Sequence, residues 1–161
     1  MNTIVVVDEN WNIGRDGGLL VYLPGDLKYF KERTYGKTVV IGRKTLESFP
    51  GGKPLPGRRN IILTKQKDYA PAGCMVCHSK EELLQTLKGD TGDIFISGGE
   101  QVYRQFLEEC DTFYVTKIYE AYPADRSFPN LDKRDGLAIT WQSDIQEENG
   151  VRYQFFKYER K

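Results

Sequence analysis

Short, continuous apolar runs rather than alternating ones mark the first two thirds of the chain. Residues 3–7 read Thr-Ile-Val-Val-Val, residues 38–41 Thr-Val-Val-Ile, residues 60–64 Asn-Ile-Ile-Leu-Thr and residues 93–97 Asp-Ile-Phe-Ile-Ser. Runs of this length and β-branched content are the pattern of strands buried on both faces. Helix-competent segments separate or follow them, at residues 26–34, 44–49, 80–87 and 100–108. Strands alternating with helices predict a mainly parallel central sheet with helices on both faces. The last third changes character. Residues 111–118 read as a strand, and residues 137–145 and 151–158 flank Glu147-Glu148-Asn149-Gly150, the signal of an antiparallel C-terminal hairpin at one edge. The expectation is a mixed α/β fold in one domain over residues 1–161, with no repeat, linker or low-complexity tract.

One carboxylate stands out against this pattern. Asp26 lies among apolar neighbours in the stretch from Val21 to Phe30, just after Pro24. Proline suits the first turn of a helix because its missing N–H has no partner there anyway. A helix starting at that point puts Asp26, Leu27 and Phe30 on one face, a floor for a flat and partly polar ligand. A first-turn acid is also favoured by the helix dipole, which lowers its pKa by less than a unit. Burial raises it by several units and makes the acid a proton donor near neutral pH. The two readings are separated by whether Asp26 lies in a cleft.

Composition narrows the choice of chemistry. The 161 residues carry 23 Lys plus Arg against 23 Asp plus Glu, so no net field favours nucleic acid or an anionic membrane. No apolar run approaches the ~20 residues of a membrane span, and Met1 leads straight into a strand-like segment. Cys74 and Cys77 form a lone C-x-x-C without a second pair, and with Cys110 they read as reduced thiols of a cytoplasmic protein. His78 is the one histidine, which removes multi-histidine metal sites and, with no G-x-S-x-G around it, disfavours a hydrolytic triad. It reads as a partly exposed residue at a strand end.

Ligands of open α/β sheets bind beyond the carboxyl ends of the strands. Gly42-Arg43-Lys44-Thr45 follows one strand and Gly98-Gly99-Glu100-Gln101 another, each opening a helix. Glycine there lets a phosphate approach backbone N–H groups at a helix start, or simply makes the turn. Two such junctions in one sheet suit a dinucleotide pyrophosphate. A third end, Leu63-Thr64-Lys65, adds a hydroxyl and a cation, so Arg43, Lys44 and Lys65 together are candidates for the extra phosphate that distinguishes NADP from NAD; solvated surface bases are the alternative. No G-x-G-x-x-G is present. The glycine-rich segment from Ile13 and Gly14 to Leu19 and Leu20 is either a mobile lid or a plain turn. Pro54-Leu55-Pro56-Gly57-Arg58-Arg59 is a stiff turn able to hold an arginine out as a carboxylate receptor.

These stretches, in this order, resemble dihydrofolate reductase over essentially the whole chain. The matching residues are Ile13-Gly14, Leu23-Pro24-Gly25-Asp26-Leu27 with Phe30, Gly42 to Ser48, Pro54 to Arg58, Asn60 to Thr64, Ile96-Ser97-Gly98-Gly99 with Val102-Tyr103, and Asp125 with Phe128-Pro129. The resemblance implies NADPH-dependent reduction of 7,8-dihydrofolate to 5,6,7,8-tetrahydrofolate, with hydride to C6 and protonation at N5. It implies Asp26 as the pterin-binding acid, hydrogen-bonded by Thr116, with Tyr103 as a third catalytic residue. Arg58 would grip the glutamate carboxylate. Leu27, Phe30, Phe49 and Leu55 would enclose the p-aminobenzoyl ring, and Ile4, Val5, Ile96 and Tyr103 would line the wall where pterin meets nicotinamide. The cofactor residues implied are Val6, Ile13, Gly14, Leu19, Gly42, Arg43, Lys44, Thr45, Leu63, Thr64, Lys65, Ile96, Gly98, Gly99, Glu100, Gln101, Val102 and Tyr103. No metal is implied. The implied protein is a cytoplasmic monomer that takes dihydrofolate and antifolates.

The chain departs from the usual family pattern where a Pro-Trp pair commonly precedes the acid's helix: here Leu20-Val21 stands instead, followed by Tyr22. Val5-Val6 replaces smaller residues and crowds the nicotinamide side. Two other readings share the glycine junctions: a pyrimidine reductase of riboflavin synthesis, and a nucleotide-binding module without catalysis. Neither needs Asp26, Thr116 and Arg58 together.

Overall fold

A computed structural model describes residues 1–90 and 92–161. Among them run eleven strands: β1 Asn2–Val7, β2 Asn12–Gly14, β3 Thr38–Gly42, β4 Arg59–Leu63, β5 Cys74–Cys77, β6 Ile94–Ile96, β7 Thr112–Ile118, β8 Arg126–Ser127, β9 Leu137–Gln142, β10 Gln146–Glu148 and β11 Val151–Arg160. Four α-helices accompany them: α1 Pro24–Thr34, α2 Arg43–Ser48, α3 Lys80–Thr86 and α4 Glu100–Gln105. Nine strands form one sheet in the order β10-β11-β7-β1-β6-β3-β4-β5, with β9 also on β11, and β2 and β8 form a small second sheet. The pairings from β7 through to β5 are parallel. Those made by β11 to β7, β9 and β10 are antiparallel.

The apolar runs become strands because both faces of the sheet are covered. Strand alternation divides them into two cores. Val5, Val7, Val40, Ile96 and Val115 pack beneath α3 and α4, through Leu83, Leu87, Val102 and Tyr103. Ile4, Val39 and Phe95 pack beneath α1, through Phe30, while Ile41 and Ile62 pack beneath α2, through Leu46. The register Val6↔Thr116 and Ile4↔Tyr114 fixes which residues of β7 look toward α1.

Four short strands escape the sequence pattern. β2, β8 and β10 are two or three residues long and largely polar, and β5 is the Cys74–Cys77 stretch, extending the sheet as an edge strand beside β4. The hairpin expected between residues 137–145 and 151–158 is drawn differently. The arm joined to β11 by the Asn149-Gly150 turn is β10, whereas β9 ends at Gln142 and pairs farther along the same edge of β11. Positive φ at both Asn149 and Gly150 makes a type I′ turn, whose twist suits a two-residue hairpin. Among the described residues, no helix is long and apolar enough to cross a membrane.

Candidate active site

All the parallel strands end at one edge of the sheet, and α1 lies across the face beside it. Leu23 gives α1 no side-chain cap and Pro24 occupies its first turn. This start brings Asp26 over β7, where Thr116 Oγ1 donates to Asp26 Oδ1 at 2.7 Å. Asp26 is 8% exposed and Thr116 3%. A hollow above Asp26 is lined by Val6, Ile13, Leu19, Leu20, Leu23, Leu27 and Ile118. In these surroundings burial pushes the Asp26 pKa up to about 6; the Thr116 hydrogen bond opposes the rise and the nearby Glu148 carboxylate adds to it. The cleft reading of Asp26, rather than the first-turn reading, describes this geometry.

A second cluster continues the floor. Phe30 and Leu55 pack against Ile4, Val39 and Phe95. Arg58 lies at its outer end, with Cζ 6.0 Å from the centre of the Phe30 ring. Its guanidinium donates through Nη1 to Thr34 Oγ1 at 3.2 Å and through Nε to the Pro56 carbonyl at 3.0 Å. That leaves further N–H groups for a carboxylate. The turn is braced by buried Asn60, whose amide nitrogen donates to the Leu55 and Arg58 carbonyls and whose oxygen accepts from Leu55 N–H. Asn60 as a brace is a residue that sequence reasoning did not single out. Its one signal was a polar residue opening an apolar strand.

The remaining substrate candidates divide. Leu27 stands at the rim, 38% exposed. Phe49 packs separately, with Ile41, Leu46 and Ile62. Val5 and Ile96 do not face the hollow, a correction to the expected wall. Alternate residues of a strand point to opposite faces, and both side chains lie in the core beneath α3 and α4. The residues of β1 and β6 on the Asp26 face are Ile4, Val6 and Phe95, and Ser97, just past β6, donates its hydroxyl to the Phe95 carbonyl.

The cofactor candidates gather at the same edge. Gly42 N–H donates to the Gly98 carbonyl at 2.9 Å, so the two glycine junctions touch. A Cβ at Gly42 would stand 3.3 Å from Val102 Cγ2, and one at Gly99 3.4 Å from Thr45 Oγ1. Side chains at these junctions would fill the cradle. Neither Gly42 nor Gly99 makes a side-chain cap bond to its helix, which leaves backbone N–H groups for an anion. Lys44, Lys65 and Gln101 are exposed, and Leu63 ends β4 with Thr64 just past it. Arg43 Nη1 is held by Glu47 at 2.7 Å. The Glu100 carboxylate turns away, accepting Ser127 N–H on β8. Buried Tyr103 donates to the Ile4 carbonyl at 2.7 Å, and burial drives its pKa far up, so its hydroxyl stays a donor. Ile13 and Gly14 on β2, with Leu19, form the cover.

The family model for dihydrofolate reductase matches residues 1–160. Dihydrofolate reductase of Bacillus subtilis (strain 168) is 38% identical over 159 residues, 98% of this chain and 93% of that one. The Staphylococcus haemolyticus enzyme is 35% identical, covering 99% and 95%. Dihydrofolate reductase from Enterococcus faecalis, solved in complex with NADP(H) and RAB-propyl, superposes with a TM-score of 0.89 at 36% identity, over 99% of this chain and 95% of that one.

Proposed function

The chain belongs to the dihydrofolate reductase family, and from that premise we propose that Asp26 is the acid that serves the reduction of 7,8-dihydrofolate to 5,6,7,8-tetrahydrofolate. The observation that carries this is a buried carboxylate, held by Thr116, beneath a hollow at the carboxyl edge of a parallel sheet. NADPH supplies the hydride when bound; the glycine cradle with Thr45, Thr64, Lys44 and Lys65 has the donors and the clearance to hold it. Arg43 joins them once it exchanges Glu47 for a phosphate.

Asp26 binds the pterin edge, and its environment sets when it carries a proton. With its pKa raised to about 6, the carboxyl is protonated in an appreciable fraction near neutral pH and favours a proton at N5 as C6 is reduced. Leu19 and Leu20 close over it and exclude water. Tyr103 acts as a positioning residue, fixing the Ile4 carbonyl at the rim of the site. Phe30 and Leu55 take the p-aminobenzoyl ring, and Arg58 the glutamate carboxylate. We read the chain as one unit acting as a cytoplasmic monomer without nucleic-acid partners.

Adding dihydrofolate to protein and NADPH should discharge the reduced-nicotinamide absorbance. Asp26→Asn should leave NADPH binding intact and cut turnover most near pH 7. Undiminished turnover there rules out the acid's role.

A further inference from the structure

The helix bearing Asp26 begins without a cap of its own. Leu23 makes no side-chain bond to it and Pro24 has no N–H, so Gly25 N–H is its first free donor. The partner comes from the far end of the chain. Glu148 Oε1 accepts Gly25 N–H at 2.7 Å and the Tyr153 hydroxyl at 2.6 Å. The fit has no slack: a Cβ at Gly25 would stand 2.7 Å from Glu148 Oε1 and would also collide with the Tyr153 hydroxyl. Register fixes the contact. The type I′ turn sets Glu148 opposite Val151, and Tyr153 pairs with Ile118, two residues past Thr116 on the same face of β7.

We propose that Glu148 is a positioning residue for the proton step, holding the first turn of α1 through Gly25 N–H and so placing a second carboxyl group beside the turn that carries Asp26. This rests on the reading of Asp26 as the acid. The groups around Asp26 are few. Thr116 bonds it directly from β7, and the titratable groups whose electrostatic influence couples to it are Glu148 on β10, Tyr153 on β11, Tyr103 on α4 and Tyr29 on its own helix. The cover contributes apolar Leu19, Leu20 and Val21. Glu148 is therefore the carboxylate that a second negative charge at Asp26 must oppose, and this adds to the effect of burial. Thr116 and Glu148 act in opposite senses, so the proton affinity of Asp26 is set by a residue of the C-terminal hairpin as well as by the cleft.

Glu148→Gln keeps an acceptor oxygen for Gly25 N–H and removes the charge. The Asp26 carboxyl is followed by 13C NMR in the free protein, assigned against Asp26→Asn, and the pH dependence of single-turnover hydride transfer is recorded with NADPH and dihydrofolate. In Glu148→Gln both midpoints should move to lower pH by roughly 0.5–1 unit, the effect of losing one partly screened like charge. An unmoved NMR midpoint, with or without a fall in Tm, overturns the proposal and leaves Glu148 as a helix cap alone. Persistence of the pH–rate midpoint in Asp26→Asn overturns the reading of Asp26, and the proposal with it.

Discussion

At the scale of single residues, the acid proposed for the reaction is a cost to the fold. Asp26 has its pKa raised from 3.8 to about 6, so the folded state binds its proton more tightly than the unfolded chain does. The sign follows from that: its contribution to stability is full below about pH 4 and is lost as pH rises through about 6. Asp26→Asn keeps an acceptor for Thr116 and removes the buried charge. It should therefore stabilise the protein above pH 6 by about 1–3 kcal/mol and leave it unchanged near pH 4. Chemical denaturation of both proteins at pH 4 and pH 7.5 checks this, and a gain of the same size at both pH values contradicts it. Arg58 presents the opposite case, a charge left with unused N–H groups on a braced turn. Arg58→Ala should weaken folate binding by about 2–5 kcal/mol, the loss expected when one partner of a hydrogen-bonded charge pair is removed. A pterin without the glutamate tail should bind almost as before, and an equal loss for both ligands removes Arg58 from that role.

At the scale of elements, legibility followed the strength of local physics. β1, β3, β4 and β6 were readable because a strand covered on both faces must be apolar throughout, and the glycines after β3 and β6 marked helix starts. The same continuity hid the phase. When every residue of a run is apolar, nothing in the run says which face each side chain takes, so Val5 and Ile96 were expected beside Ile4 and instead point the other way. β2, β8 and β10 were missed because strands of two or three polar residues are set by their partners and not by their own composition. Asn149-Gly150 marked the hairpin turn; the arm preceding it is the polar β10 and not the more apolar residues 137–145. Asp26 was legible as a carboxylate out of place. Glu148 was not, because its meaning lies in a contact with Gly25 that spans 123 positions.

At the scale of the whole molecule, the cover over Asp26 is tied to the cofactor side by a chain of contacts. Glu100, at the start of α4, accepts Ser127 N–H; β8 pairs with β2; and β2 leads into the segment that carries Leu19 and Leu20 over the hollow. Asp125 closes this chain. Its own N–H donates to the Gly14 carbonyl at 3.0 Å, and its Oδ2 accepts Asp16 N–H at 3.1 Å. Both Asp16 and Asp125 are exposed, so this bond adds little to global stability. In a cover that opens and closes, its expected effect is on where the cover spends its time, since a bond worth about 0.5–1.5 kcal/mol changes the ratio of closed to open by roughly 2- to 10-fold. Asp125→Ala retains the backbone bond to Gly14 and loses the one to Asp16. Single-turnover hydride transfer should then slow by roughly 2- to 10-fold, with Tm close to that of the parent and dihydrofolate released faster. Hydride transfer at the parent rate shows that the cover closes without this clasp. A large fall in Tm instead assigns Asp125 to the fold, for which two exposed partners and one hydrogen bond give no reason.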